Sequence, residues 1–149
     1  MSKYIEKDTV NDFNFNIIER ELGIVVPTIY IDFIEIINKN RIKLAQYRIY
    51  YDTETLLRGN LMLRETMGEP EALWQSHYLD FGVGDGCGNY FFIPTSGKEA
   101  NQINLMSHDP LGIEERSSGT EFFAELMAEL ESNFNGPNKY RYDGNCFWI

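Results

Sequence analysis

The stretch that most constrains this chain is Tyr78 to Pro94, YLDFGVGDGCGNYFFIP. Leu79, Phe81 and Val83 alternate with Tyr78, Asp80 and Gly82, the period-two pattern of a half-buried strand. Gly82, Gly84, Gly86 and Gly88 then fall at every second position. Glycine serves backbone that needs positive φ or close approach, so a chain reversal is expected here. Tyr90, Phe91, Phe92 and Ile93 follow with almost no polar relief. That run predicts a strand covered on both faces, in the interior of a sheet. The rest of the chain reads as material to flank, extend or cover this hairpin.

Upstream, residues to about Val10 are a polar lead-in. Asp12 to Leu22 predicts a first helix, with Phe15, Ile18 and Leu22 on one stripe and Gly23 as its C-cap. Ile24 to Val26 form a short apolar link. Pro27 suits the first turn of a second helix, in which Tyr30, Phe33, Ile34 and Ile37 repeat at helical spacing to about Asn38. Tyr47, Ile49 and Tyr51 alternate with Arg48 and Tyr50, which predicts a strand. Thr53 to Met67 fits neither period: Leu56, Leu57, Leu61 and Leu63 are interrupted by Gly59. Gly68 to Pro70 is a turn, and Glu71 to Trp74 one helical turn.

Downstream, Gln102 to Met106 alternates and predicts a third strand of the same sheet, followed by loop from Ser107 to Gly112. Ser118 and Glu121 have capping-box spacing before Phe122, Phe123, Leu126, Met127 and Leu130, the stripe of a third helix ending near Asn133. Gly136-Pro137 breaks it, and the closing FWI is expected to pack down. Helices first, strands in the middle and a helix last is an α+β order. The connections around 82–88 and 94–102 are too short for crossovers, so antiparallel pairing is expected. The expected architecture is a single domain over 1–149, with a mostly antiparallel central sheet flanked by N-terminal helices and a C-terminal helix.

A chain of 149 residues can bury roughly 68–70% of its unfolded surface, enough for a core without staples. The formal net charge of −10 excludes function classes. Phosphate binding needs clustered Lys and Arg, so nucleic acid is not the expected partner, and neither is an anionic membrane. No apolar run approaches a membrane span. Between Asp80 and Glu131 ten acidic residues are opposed only by Lys98 and Arg116. That segment reads either as a solvated helix face with polar loops or as a surface facing a basic partner. Cys87 and Cys146 lie far apart with no CxxC, a usage that fits free thiols and a cytoplasmic setting. The N-terminus shows no apolar h-region of a signal peptide.

Candidate chemistry is thin. The glycines are spaced GxGxGxG, not GxGxxG, and a strand rather than a helix follows them, which speaks against a nucleotide site. Asp80 and Asp85 lack the alternation of a calcium loop, and Asp near such a turn usually bonds its own backbone. His77, Cys87, His108 and Cys146 match no zinc spacing. A Cys87–His77 nucleophile pair has no surrounding signature. Glu114-Glu115, beside Arg116 in an expected loop, is no catalytic dyad without burial. The residues therefore predict no catalytic site, no cofactor and no metal.

Four features together resemble the SUKH superfamily, which includes the fungal cell-wall synthesis regulator domain and many bacterial immunity proteins. The opening helix runs into LGIVVPTIYIDFIEIINKN, with Leu22, Gly23, Pro27, Tyr30, Phe33 and Asn38 at the family's positions. LDFGVGDGCGNYFFI is similar to its strand, glycine turn and aromatic strand. His108-Asp109 follows the strand NQINLMS, and the final helix carries Phe122 and Phe123. The resemblance covers about residues 12–130. The family often has a Gly-Gly shortly after the second helix, and NKNRIKL has none.

The resemblance implies a mixed sheet flanked by helices and a protein that binds proteins. In bacteria the implied role is an antitoxin that blocks a polymorphic or contact-delivered toxin, often a basic nuclease-type enzyme. The negative charge agrees with such a partner. Asp85, Glu114, Glu115, Glu121 and Glu125 are the expected contact residues. Two alternatives stand beside it. One is a regulatory scaffold domain. The other is an enzyme or ligand-binding domain whose pocket is a cleft around His77, Cys87 and His108.

Overall fold

The computed structural model describes residues 11–67, 73–84, 88–108 and 111–135. Helix α1 (Phe15–Leu22) starts at Asn14, whose side chain accepts the Ile17 N–H at 3.2 Å, and stops at the left-handed Gly23. Helix α2 (Thr28–Lys39) begins one residue after Pro27, whose carbonyl accepts from the Tyr30 and Ile31 N–H groups. Its buried residues are Tyr30, Phe33, Ile34 and Ile37, the stripe read from the spacing.

The strand expected from Tyr47 to Tyr51 does not form. Leu44–Tyr47 is a short 3-10 turn, and Arg48 after it is left-handed, with φ 59°. The alternation is only half real: Tyr47 and Ile49 are buried, but Tyr51 is 40% exposed. The reason is where the backbone bonds go. The buried Asn11 side chain donates to Ile42 O at 2.9 Å and accepts from Leu44 N at 3.0 Å. Asp12 accepts from Thr53 N and donates to Tyr51 O. Side chains and a single parallel bridge between Asp12 and Asp52 replace a ladder, so the alternating segment has no strand to pair with.

The ambiguous stretch is helix α3 (Thr53–Met67). Its buried residues are Leu56, Gly59, Asn60 and Leu63, at i, i+3, i+4 and i+7. This is the spacing of one helix face, but two of the four positions hold a glycine and an asparagine, so hydrophobicity alone conceals it. Arg64 Nη2 donates to Leu22 O at 2.6 Å and Ser76 O at 2.8 Å, tying α3 to the end of α1.

The sheet follows the expected plan and adds a strand. Its order is β1 (Tyr78–Gly84), β2 (Tyr90–Pro94), β3 (Gln102–His108) and β4 (Leu111–Ser118), all antiparallel. The apolar run of β2 lies in the interior of the sheet, with Phe91 to Pro94 buried. The loop expected after Met106 is instead the β3–β4 hairpin, paired from Gln102↔Ser118 to His108↔Leu111. LGIEERSS has no hydrophobic alternation because β4 is an outer strand held by backbone pairing, with most of its side chains exposed.

Helix α4 (Gly119–Asn135) starts directly after β4, and Ser118 Oγ accepts the Glu121 N–H at 3.2 Å. That is the Ser118 half of the expected capping box. One sheet face carries Leu79, Phe81, Val83, Phe91, Ile93, Ile103 and Leu105 against α1, α2 and α4. Aromatic rings dominate this core: Phe123 lies 4.9 Å from Phe33, 5.2 Å from Phe81 and 6.0 Å from Tyr30. The opposite face holds a smaller cluster of Phe92 and Met106 with Leu63 of α3 and Trp74. The turn at 68–70, the first half (71–72) of the helical turn expected before Trp74, the apex of the glycine turn at 85–87 and the apolar terminus at 140–149 lie outside the described residues.

Candidate functional site

The five acidic residues expected to meet a partner are not one cluster. Asp85 lies outside the described residues. Glu114 and Glu115 sit on β4 and are exposed, but neighbours on a strand point to opposite faces. Glu114 is opposite Leu105, on the face that packs against α4. Glu115 is opposite Asn104, on the other face. Glu114 pairs with Arg116 at 3.2 Å, and the Arg116 guanidinium lies 5.8 Å from the centre of the Phe91 ring. Glu121 and Glu125 are exposed on consecutive turns of α4. The strand and the helix that follows it thus carry four exposed carboxylates that do not gather on one face.

Asp80 is the acid that departs most from a surface reading. It is wholly buried. Its Oδ1 accepts the Gly82 N–H at 2.9 Å, the local backbone bond expected of Asp beside a glycine turn. Its Oδ2 accepts the Tyr50 O–H at 2.7 Å. Its own backbone is held by Asn60, also wholly buried. Asn60 Oδ1 accepts the Asp80 N–H at 2.8 Å, and Asn60 Nδ2 donates to the Asp80 carbonyl at 2.7 Å. One amide side chain from α3 therefore does for the outer edge of β1 what a neighbouring strand would do.

Tyr50 is clamped from two sides. A Cβ on Gly59 would fall inside the van der Waals envelope of the Tyr50 hydroxyl, and one on Gly82 would lie 2.5 Å from the Tyr50 backbone N. Gly82 also has φ +91° at a register shift in β1, so it is required both by conformation and by space. Burial raises the Asp80 carboxyl to about 6, against the lowering effect of its bonds from Gly82 and Tyr50. Desolvation first, then the field of Asp80, raise the Tyr50 hydroxyl far above its ordinary value. A tyrosine pushed that way is a poor general base or acid near neutrality, and Asp80 has no exposed surface. The triad of Tyr50, Asp80 and Asn60 is built to fix β1 against α3.

Above Tyr50 lies a pocket of about 340 Å³, lined by Ile49, Tyr51, Thr55, Met62 and the two cations Arg48 and Arg58. Among the described residues its lining holds no carboxylate. The alternation of Tyr47 to Tyr51 conceals it by placing Tyr50 on a strand, but the sequence holds one signal. From Lys39 to Arg64 the chain carries Lys39, Arg41, Lys43, Arg48, Arg58 and Arg64 against Asp52 and Glu54. This stretch of an acidic protein is locally basic, and the pocket lies within it.

The cleft expected around His77, Cys87 and His108 is not assembled from its histidines. His77 precedes Tyr78, which pairs with Pro94, whereas His108 ends β3 beyond Met106, which pairs with Tyr90. The two lie toward opposite ends of a sheet about 20 Å long. Cys87 and Cys146 lie outside the described residues. Among the described residues no group of three His, Cys, Asp or Glu side chains is arranged to hold a metal ion. Among the same residues no helix is long and apolar enough to cross a membrane.

The model of the SMI1 / KNR4 family (SUKH-1) matches residues 10–130 of the chain. No curated protein and no solved structure matches it.

Proposed function

The chain belongs to the SMI1 / KNR4 family (SUKH-1), and from that premise we propose that it is a bacterial immunity protein that binds and neutralises a cognate toxin. The observation that carries the reading is the exposed acidic surface of β4 and α4. Glu114 and Glu115, on opposite faces of β4, and Glu121 and Glu125 on α4 are exposed there, in a segment from Asp80 to Glu131 whose net charge is −8. An array of like charges speeds encounter with a basic protein and penalises wrong partners. A toxin that acts on nucleic acid is basic for the same electrostatic reason, which makes a nuclease-type toxin the natural target.

Inhibition needs no chemistry from the immunity protein, only occupation of the toxin's working surface. In this reading the whole chain, 1–149, acts as one domain in the cytoplasm, where the toxin would do its damage. Asp85 belongs to the same proposed contact set by its charge and its place in the chain.

The test is a survival assay. The protein is expressed in cells that carry the toxin domain encoded beside it, and survivors are counted. Rescue, together with co-purification of the two chains, supports the immunity reading. Death despite folded protein and active toxin overturns it and shifts the role to a regulatory scaffold.

A further inference from the structure

We propose that the pocket over Tyr50, with the apolar face of α3 that continues it, is a docking surface for a segment of a partner protein that inserts an apolar side chain flanked by carboxylates. This surface is distinct from the acidic one on β4 and α4 and does not depend on the toxin reading.

Three observations carry it. The first is apolar continuity. Beside the pocket an open, shallow groove runs along the outer face of α3, lined by residues of that helix alone, and the two share Arg58 and Met62. Tyr51, Leu61 and Met62 along this path are 40%, 47% and 50% exposed, although they are large hydrophobic side chains. Contiguous apolar exposure of this kind marks interaction sites, and Tyr, Met and Arg are the residue types enriched where interfaces are centred.

The second is charge. Among the described residues the pocket is lined by Arg48 and Arg58 and by no acid. Among the described residues Arg58 has only a loose 3.8 Å pair with Glu54, both ends largely in solvent, so its guanidinium is available. Glu54 and Glu65 line the outer groove, which confines the cationic character to the pocket mouth. Two guanidiniums beside an apolar hollow match a carboxylate next to an apolar anchor.

The third is preorganisation. Arg48 is a non-glycine residue held left-handed at the end of its 3-10 turn. The pocket floor is Tyr50, locked by Gly59, Gly82 and Asp80. A backbone strained at the mouth and a floor that cannot shift are what a preformed recognition site requires. A small free anion would fill the pocket and leave Leu61 and the outer groove bare, so a protein segment is the occupant that uses the whole surface.

The probe is the peptide acetyl-Glu-Trp-Glu-Leu-Leu-amide, titrated into labelled protein and followed by amide NMR shifts. The control is acetyl-Lys-Trp-Lys-Leu-Leu-amide. The overall charge of −10 favours the lysine peptide everywhere else on the surface, so preference for the glutamate peptide cannot come from bulk attraction. The expected result is saturable shifts at Tyr50, Tyr51, Gly59, Leu61 and Met62, with the lysine peptide about tenfold weaker.

Arg48→Asn with Arg58→Gln should weaken the glutamate peptide about tenfold, since Asn tolerates the left-handed backbone while removing the cation. Met62→Asp provides a second variant that leaves the strained residue untouched, and it too should weaken binding. Equal or stronger binding of the lysine peptide, absence of saturable shifts at these residues, or indifference to both variants overturns the proposal. Indole-3-acetate binding as tightly as the peptide, without shifts at Leu61, overturns the protein-segment occupant.

Discussion

Replacing Asp80 with Asn tests how the polar centre of this fold is held. Two effects oppose one another at this carboxyl. Burial favours the neutral acid, while the bonds from Gly82 N–H and Tyr50 O–H favour the anion. Burial wins, and the folded-state value rises from 3.8 to about 6. Below pH 3.8 both folded and unfolded chains hold the proton, and no penalty exists. Between 3.8 and about 6 the unfolded chain releases the proton while the folded chain keeps it, so stability falls as pH rises. Above 6 both are ionised and the loss is complete.

At about 1.4 kcal/mol per pH unit, the interval amounts to roughly 3 kcal/mol. In Asp80→Asn, Oδ1 keeps the Gly82 N–H and Nδ2 donates to the Tyr50 oxygen, so the geometry survives without a titrating group. The difference in unfolding free energy between variant and wild type should therefore grow by roughly 3 kcal/mol in the variant's favour from acidic to neutral pH. Urea unfolding of both proteins across that range measures it. The other carboxylates of this acidic protein titrate in both proteins and cancel in the comparison. Parallel pH profiles would refute the argument. A difference of opposite sign would mean that the two donors outweigh burial.

Removing only the hydroxyl, Tyr50→Phe leaves Asp80 Oδ2 buried without its donor; stability should fall by about 1–3 kcal/mol, and the pH transition should move upward, both read from the same unfolding curves. Asn60→Ala strips the partners from the Asp80 N–H and carbonyl together, and should cost about 2–4 kcal/mol and speed hydrogen exchange at the Asp80 amide. Gly59→Ala forces the Tyr50 ring out of its clamp; the variant should lose more than about 2 kcal/mol in wild type and much less in a Tyr50→Ala background, a non-additivity that a double-mutant cycle measures. Glu114→Lys with Glu115→Lys should change stability by no more than about 0.5 kcal/mol and slow association with the toxin; an unchanged association rate removes both residues from the contact.

Much of this chain was legible before folding, because hydrophobic period and glycine placement are local properties. The stripe of Tyr30, Phe33, Ile34 and Ile37 predicted α2, and Gly23 and Ser118 were recognised as helix boundaries. The uninterrupted Tyr90 to Ile93 announced an interior strand, and the order of elements announced an α+β fold. The LGIVVP elbow and the aromatic hairpin carried the family as well.

What the sequence concealed was decided by partners distant in the chain. Helix α3 was hidden because its inward face includes Gly59 and Asn60, one there to admit Tyr50 and the other to bond β1. Strand β4 was hidden because an outer strand needs only a backbone neighbour, which no side-chain pattern records. The segment from Tyr47 to Tyr51 has a strand's alternation, but its backbone bonds go to Leu44 and Ala45 within the turn, to Asp12 and to the Thr55 hydroxyl. Asp80 counted as one more negative charge until tertiary packing closed over it. Alternation reports which side chains seek the interior. It cannot report which distant group will meet them there, and here those meetings set both the buried triad and the pocket above it.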